Sequence, residues 1–140
     1  MEQIYYQENK ELFIKFLNKL YNKQNQTDRD LFGEINENNI FSGVLLKSKS
    51  IPIGAVLLNK QGENFYSIQI LVDEQFRRNG IAEGLFKELI DKTYLPPNTM
   101  IYYNYYPENY KSEALSKKLG FDKYLIRSRQ SLKKLKILNK

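Results

Sequence analysis

The chain has 140 residues, 41% of them hydrophobic and 14% aromatic, with 11 Tyr and 8 Phe, a net charge of +6, and no Cys, His or Trp. That length suits one domain with one sizeable core, residues 1–140, and the ring content argues against disorder. Without Cys or His there is no thiol nucleophile, no Cys/His zinc site, no disulfide and no Ser-His triad, so acid–base work falls to Glu, Asp, Tyr, Lys, the backbone or water.

In chain order, the first twenty residues carry Glu2, Glu8, Lys10, Glu11, Lys15 and Lys19, which is unlike a signal peptide. Apolar runs are far shorter than a membrane span, so a cytoplasmic protein with no membrane partner is expected. Residues 8–22 put Leu12, Phe13, Phe16, Leu17, Leu20 and Tyr21 on one face at helical spacing. Residues 23–39 are polar and read as loop, with one short helical turn over 29–35 capped by Thr27 or Asp28. Apolar runs at 40–46, 51–58 and 65–72, separated by turn residues, predict an antiparallel meander. Gly43 and Gly54 fall inside these strands, where they admit a bulge or a closely approaching ligand. Residues 79–92 form the clearest helix, with Ile81, Ala82, Leu85, Phe86, Leu89 and Ile90 as its buried stripe. A strand over 99–106, a helix over 108–119 ended by Gly120, and one last strand over 121–132, broken near Ser128, complete the pattern. A meander joined to a strand–helix–strand crossover implies an α/β (α+β) domain, with a mixed sheet and helices on both faces. The last fourteen residues hold Arg127, Arg129, Lys133, Lys134, Lys136 and Lys140 and no acid, so all the excess charge lies there. Such an end solubilises the chain or attracts a polyanion.

The junction of the third strand and the 79–92 helix carries the chemistry. After Val72 comes a short basic turn, Asp73-Glu-Gln-Phe-Arg77-Arg78-Asn79-Gly80-Ile81-Ala82, which opens the helix. The free N–H groups and positive dipole end of a helix start make an anion site. Gly80 allows close backbone approach, Ala82 is small, and Arg77 and Arg78 add positive charge. A Walker A loop is excluded because no Gly-Lys-Ser/Thr follows, and a G-x-G-x-x-G turn because only one glycine is present.

Arg77-x-x-Gly80-x-Ala82 after a strand and before an amphipathic helix resembles the acetyl-CoA motif Q/R-x-x-G-x-G/A of the GNAT superfamily of N-acyltransferases. Further on, Asn109, Leu115, Gly120 and Phe121 match a second signature of that family, N-x-x-A-x-x-L-Y-x-x-x-G-F. Ser112 stands where the family has Ala, and Ser116 where many members have the Tyr that protonates the departing thiolate. The resemblance covers residues 40–132. It implies a GNAT-like, mostly antiparallel twisted sheet and an acetyl-CoA-dependent N-acetyltransferase (EC 2.3.1 type) acting on a primary amine of a small molecule or protein. Acetyl-CoA or CoA is then the cosubstrate, and no metal is implied.

By the same resemblance the pyrophosphate rests on the N–H groups of Arg78, Asn79, Gly80, Ile81 and Ala82, beside Arg77 and Asn109. The pantetheine arm enters a splay between the 65–72 and 99–106 strands, and an N–H at Leu71 or Val72 polarises the thioester carbonyl. For the base, Glu63, Glu74 and Glu34 are candidates acting through water. For the acid, Ser116 is at most a relay, with Tyr103, Tyr105, Tyr106 and Tyr110 in the neighbourhood. Two other readings stay open: a GNAT-fold module that binds CoA without chemistry, and a protein acting on tRNA or another RNA through the basic end, although no nucleic-acid motif accompanies it. The acceptor and the oligomeric state are open, a homodimer through the C-terminal region being a habit of the family.

Overall fold

A computed structural model describes residues 1–96, 98–105, 110–127 and 130–137, with side chains for those up to Tyr103 and for residues 111–121. Its elements are β1 (Glu2–Tyr5), α1 (Lys10–Asn22), α2 (Gln26–Phe32), β2 (Ile40–Ser48), β3 (Ile51–Gly62), β4 (Phe65–Val72), α3 (Ile81–Lys92), β5 (Thr99–Tyr105), α4 (Tyr110–Lys118), β6 (Asp122–Arg127) and β7 (Gln130–Ile137). The strands form one sheet in the order β1-β2-β3-β4-β5-β7-β6. All neighbours are antiparallel except β4 and β5, which α3 joins by a crossover.

Alternation along the long central strand β3 builds a core on each face of the sheet. Val56 and Leu58 pack with Leu85, Phe86 and Leu89 of α3 and with Ile68 and Ile101. Ala55 and Leu57 pack with Phe13, Leu17 and Leu20 of α1, Phe32 of α2 and Leu71. The apolar stripes predicted for α1 and α3 are the buried faces of those helices.

Four differences from the sequence reading have physical causes. Strand β1 is too short to show alternation and is held by its antiparallel register with β2 and by Ile4 in the core under α1. The polar stretch contains a two-turn helix, α2, capped by Asn25, whose side chain accepts from Asp28 N, rather than by Thr27 or Asp28. The last predicted strand is a hairpin, β6 and β7, rather than one broken strand. Gly43 makes room for a helix rather than for a bulge or a ligand, while Gly54 borders the expected register irregularity between β2 and β3, where Leu46 faces Gly54 and Lys47 faces Pro52. A Cβ on Gly43 would stand 2.5 Å from Phe13 Cζ of α1, and one on Gly54 would press on Ile81 at the start of α3. Among the described residues no helix is long and apolar enough to cross a membrane.

Candidate active site

Parallel pairing of β4 with β5 lasts only three residues, ending at Ser67 opposite Tyr102. Beyond that point β4 runs on to Val72 and β5 to Tyr105 without a shared ladder, so the carboxyl ends of the two strands part. On its other side β4 stays paired with β3 up to Val72 opposite Gly54, so one edge is firm and the other is released. A wedge at the carboxyl ends of parallel strands is where open sheets take ligands.

The turn after β4 is built to stop the strand and start α3. Asp73 N donates to Ile53 O at 2.8 Å, and the Asp73 carboxylate accepts from Gln75 N at 2.9 Å, capping a short 3₁₀ turn, Glu74–Phe76. Lys23, at the end of α1, pairs with Asp73 and donates to Pro52 O. Burial works against ionisation of Asp73, yet Lys23, the Gln75 N–H and Arg77 outweigh it and hold its carboxyl below the usual carboxylate range. Arg78 (φ 69°) and Gly80 (φ 72°) are both left-handed, and Gly80 is the N-cap of α3 with no side chain to offer. The first N–H groups of α3 therefore lack the usual capping oxygen. A Cβ on Gly80 would meet nothing within 4 Å, so the glycine serves its backbone angle and leaves open space in front of the helix end.

Wedge and turn belong to one open cleft of about 1530 Å³. Leu71, Val72, Arg77, Arg78, Gly80, Ile81 and Ala82 all line it, as the sequence reading expected of them. Arg77 is not a free cation, however. Its Nε donates to Val72 O at 2.9 Å and its Nη2 to Asp28 at 3.0 Å, so it struts the turn against α2. Asn79 is outside the lining and bends back to Phe76 O at 3.3 Å. Cations on the α3 and α4 side come instead from exposed Arg78 and from Lys111 and Lys118 of α4.

The other expected residues are scattered. Ser116 is fully buried, donates to Glu113 O at 2.8 Å within its own helix, and does not line the cleft. It sits on the inner face of α4, which a Schellman motif fixes in place: Phe121 N donates to Ser116 O and Gly120 N to Lys117 O, with Gly120 at φ 90° and Phe121 packed on Phe86 and Tyr103. Glu63 lies exposed in the tight turn between β3 and β4, and Glu74 in the 3₁₀ turn, both outside the cleft. Glu34 does line it. Tyr106 and Asn109 lie outside the described residues, as do the side chains of Tyr105, Tyr110 and the basic end.

The residues that sequence reasoning missed are on α4 and on the polar face of β3 and β4. Tyr103 of β5, by contrast one of the four tyrosines that the sequence placed near the acid, is the first residue past the last β4 pair, lines the cleft and donates from Oη to Ser112 Oγ at 3.2 Å. Burial raises its phenol above the ordinary tyrosine range, with the Ser112 bond acting the other way, so the group is protonated at neutral pH. Asn59, Gln61, Ser67 and Gln69 also line the cleft. Their signal was a polar residue at every second position inside otherwise apolar strands.

The sequence matches the model of an acetyltransferase (GNAT) domain over residues 2–122. The chain belongs to the GNAT acetyltransferase family. Comparison with curated proteins finds no match. Among solved structures, the GNAT domain of PAT from S. lividans is similar with a TM-score of 0.65 at 11% identity, covering 88% of this chain and 84% of that one. NAA60 of Arabidopsis thaliana, solved with a bisubstrate analogue, gives 0.62 at 19% identity over 88% and 93%. yncA of Salmonella typhimurium, a putative acetyltransferase solved with acetyl-CoA, gives 0.58 at 12% identity over 71% of this chain. The chain spans 66% of that protein's length. At these identities the likeness is one of fold.

Proposed function

We propose that the protein transfers an acetyl group from acetyl-CoA to a primary amine of a small molecule or protein, in the cleft between β4, β5 and α3. The observation that carries this is the meeting of two features in one cleft: the parted β4 and β5, and the uncapped start of α3 at Gly80. The pyrophosphate is taken by the N–H groups of Arg78 to Ala82, whose positive helix end favours an anion. Arg78, Lys111 and Lys118 add charge from the same side, and the pantetheine arm follows the wedge toward Leu71 and Val72. Family membership and a neighbour solved with acetyl-CoA support the choice of donor.

In the reaction the neutral amine nitrogen attacks the thioester carbon, an N–H at Leu71 or Val72 steadies the oxyanion, and the C–S bond breaks as the C–N bond is completed. The products are an amide and CoA thiol. The proton lost by the amine goes to solvent water in the open cleft. The proton gained by the thiolate comes from Tyr103, which is protonated and lines the wedge where Ser116 does not. Replacement Tyr103→Phe is expected to lower kcat at least about tenfold, since general acids contribute on the order of a hundredfold or more. The KM for acetyl-CoA should stay unchanged, and a kcat within twofold of wild type would remove Tyr103 from the mechanism.

Titration calorimetry of acetyl-CoA into wild type and Gly80→Asp tests the donor site. Binding by wild type that the variant loses supports the reading, and no binding by wild type sinks it. The burial of Ser116 favours one rival, a module that binds CoA without turnover. Release of free thiol from acetyl-CoA in the presence of an amine panel separates the two.

A further inference from the structure

Asn59 and Gln61 of β3 and Ser67 and Gln69 of β4 share the α2-facing side of the sheet where it floors the cleft. Their amide orientations are dictated by the backbone. Gln69 Nε2 lies 3.0 Å from Phe32 O and 3.1 Å from Glu34 O, and two carbonyls accept only the NH₂ end of an amide. Gln69 Oε1 therefore faces Asn59, which must donate through Nδ2, 2.9 Å away. Turning Asn59 over would set two acceptor oxygens against each other. Asn59 Oδ1 is left over: the residue is 5% exposed, and this oxygen has no hydrogen-bond partner among the described residues. Buried acceptors rarely go unpaired, so a donor from outside the chain is called for.

Charge in the cleft is divided by side. The cations Arg78, Lys111 and Lys118 stand on the α3 and α4 side. Of the lining carboxylates, Asp28 is engaged by Arg77, and Glu83 lies 3.8 Å from Lys87. Asp30, which accepts from Gln26, and Glu34, whose backbone carbonyl accepts from Gln69, remain without a cation among the described residues, both exposed on the α2 side of the cleft. Asn59 pairs with Ser67, four residues before Leu71 on β4, a run of roughly 13 Å at the usual strand rise.

We propose that the acceptor is an extended cationic amine, acylated at one end beside Leu71 and Val72, which donates a second N–H group to Asn59 Oδ1, roughly 13 Å away along β4. The position of the reacting end rests on the acyl-transfer reading above. Asp30 and Glu34 supply the negative field that favours a protonated far end. Asn59 Oδ1 is covered in this structure, so the guest reaches it by displacing the side chains packed over it.

The test is calorimetry on the full chain loaded with CoA, titrated with 1,8-diaminooctane, 1,4-diaminobutane and 8-aminooctanoic acid. The long diamine is expected to bind at least tenfold more tightly than the short diamine, which cannot span the two points, and than the amino acid, whose far end carries a carboxylate. In Asn59→Leu the two diamines should fall within twofold of each other, with CoA affinity unchanged and the amino acid still weaker through the field of Asp30 and Glu34. Equal binding of the two diamines by wild type, or a preference for the long diamine over the short one that survives in a folded Asn59→Leu, overturns the proposal and leaves a buried water as the partner of Asn59. Should Asn59→Leu fail to fold, the wild-type series decides alone. Failure of CoA itself to bind would sink the acyl-transfer reading instead, and the amine series on the unloaded protein would still decide the role of Asn59.

Discussion

Helices α2 and α3 begin within reach of each other, joined by the pair of Arg77 with Asp28, yet their first turns are finished in opposite ways. At α2 the side chain of Asn25 accepts from Asp28 N at 2.8 Å, and at α1 Asn9 does the same for Leu12 N at 3.1 Å. At α3 the N-cap is Gly80, left-handed and without a capping oxygen. A cap contributes about 1 kcal/mol to a helix, so its omission at α3 costs stability. The omission falls where the helix end opens into the cleft, whereas the capping residues Asn25 and Asn9 are not part of its lining. A helix end meant to hold an external anion must not be satisfied from within, because a built-in oxygen would compete for the same N–H groups.

The largest effect should follow from erasing that difference. Gly80→Asp installs a capping carboxylate at a position whose left-handed angle Asp tolerates better than most side chains. Acetyl-CoA affinity is expected to fall at least about a hundredfold, roughly 2.8 kcal/mol. Thermal stability should stay level or rise. A variant that loses stability and keeps its affinity would reverse the interpretation of the uncapped end.

Cutting the strut between the two starts should come next. Asp28→Asn leaves the partly buried Arg77 without its counter-charge, and the loss of a charge-assisted hydrogen bond is worth about 1.5–3 kcal/mol. Urea unfolding measures that, and CoA affinity should weaken with it because Arg77 also holds Val72 O in the wedge. Removing the ordinary cap, Asn25→Ala, should cost about 1 kcal/mol and leave CoA affinity within twofold. Equal damage to binding from Asn25→Ala and Gly80→Asp would dissolve the contrast between the helices.

The smallest effect concerns pH at the entry to the turn. Asp73 has its carboxyl held low in the folded state, so the folded form binds its proton less readily than the unfolded chain does. Its contribution to stability is therefore present above the ordinary aspartate value of about 4. That contribution fades as pH falls through the lower, folded value. Chemical denaturation of wild type and Asp73→Asn should differ at neutral pH and converge under acid.

Much of this was legible along the chain because local pattern and local geometry agree. The 3.6-residue stripes of α1 and α3, the apolar runs of β2 to β4 between turn residues, and the basic glycine turn after Val72 each report a structure formed by neighbours in sequence. The same holds for Gly120, whose place at the end of α4 followed from its type alone. Strand β1, by contrast, has too few residues to show a period and exists through its ladder with β2. The second signature on α4 marked Ser116 as a departure without showing that the residue faces the interior.

The sequence by itself determined the family, the order of the main elements and the glycine turn that opens α3, since these rest on residue types at short, fixed spacing. Only the tertiary structure decided which polar groups share the cleft. Arg77 meets Asp28, Tyr103 meets Ser112, and Asn59 is turned by Gln69 because the carbonyls of Phe32 and Glu34 arrive from another part of the chain. Such pairings follow from how sheet and helices pack, and they have no trace in the spacing of the residues that make them.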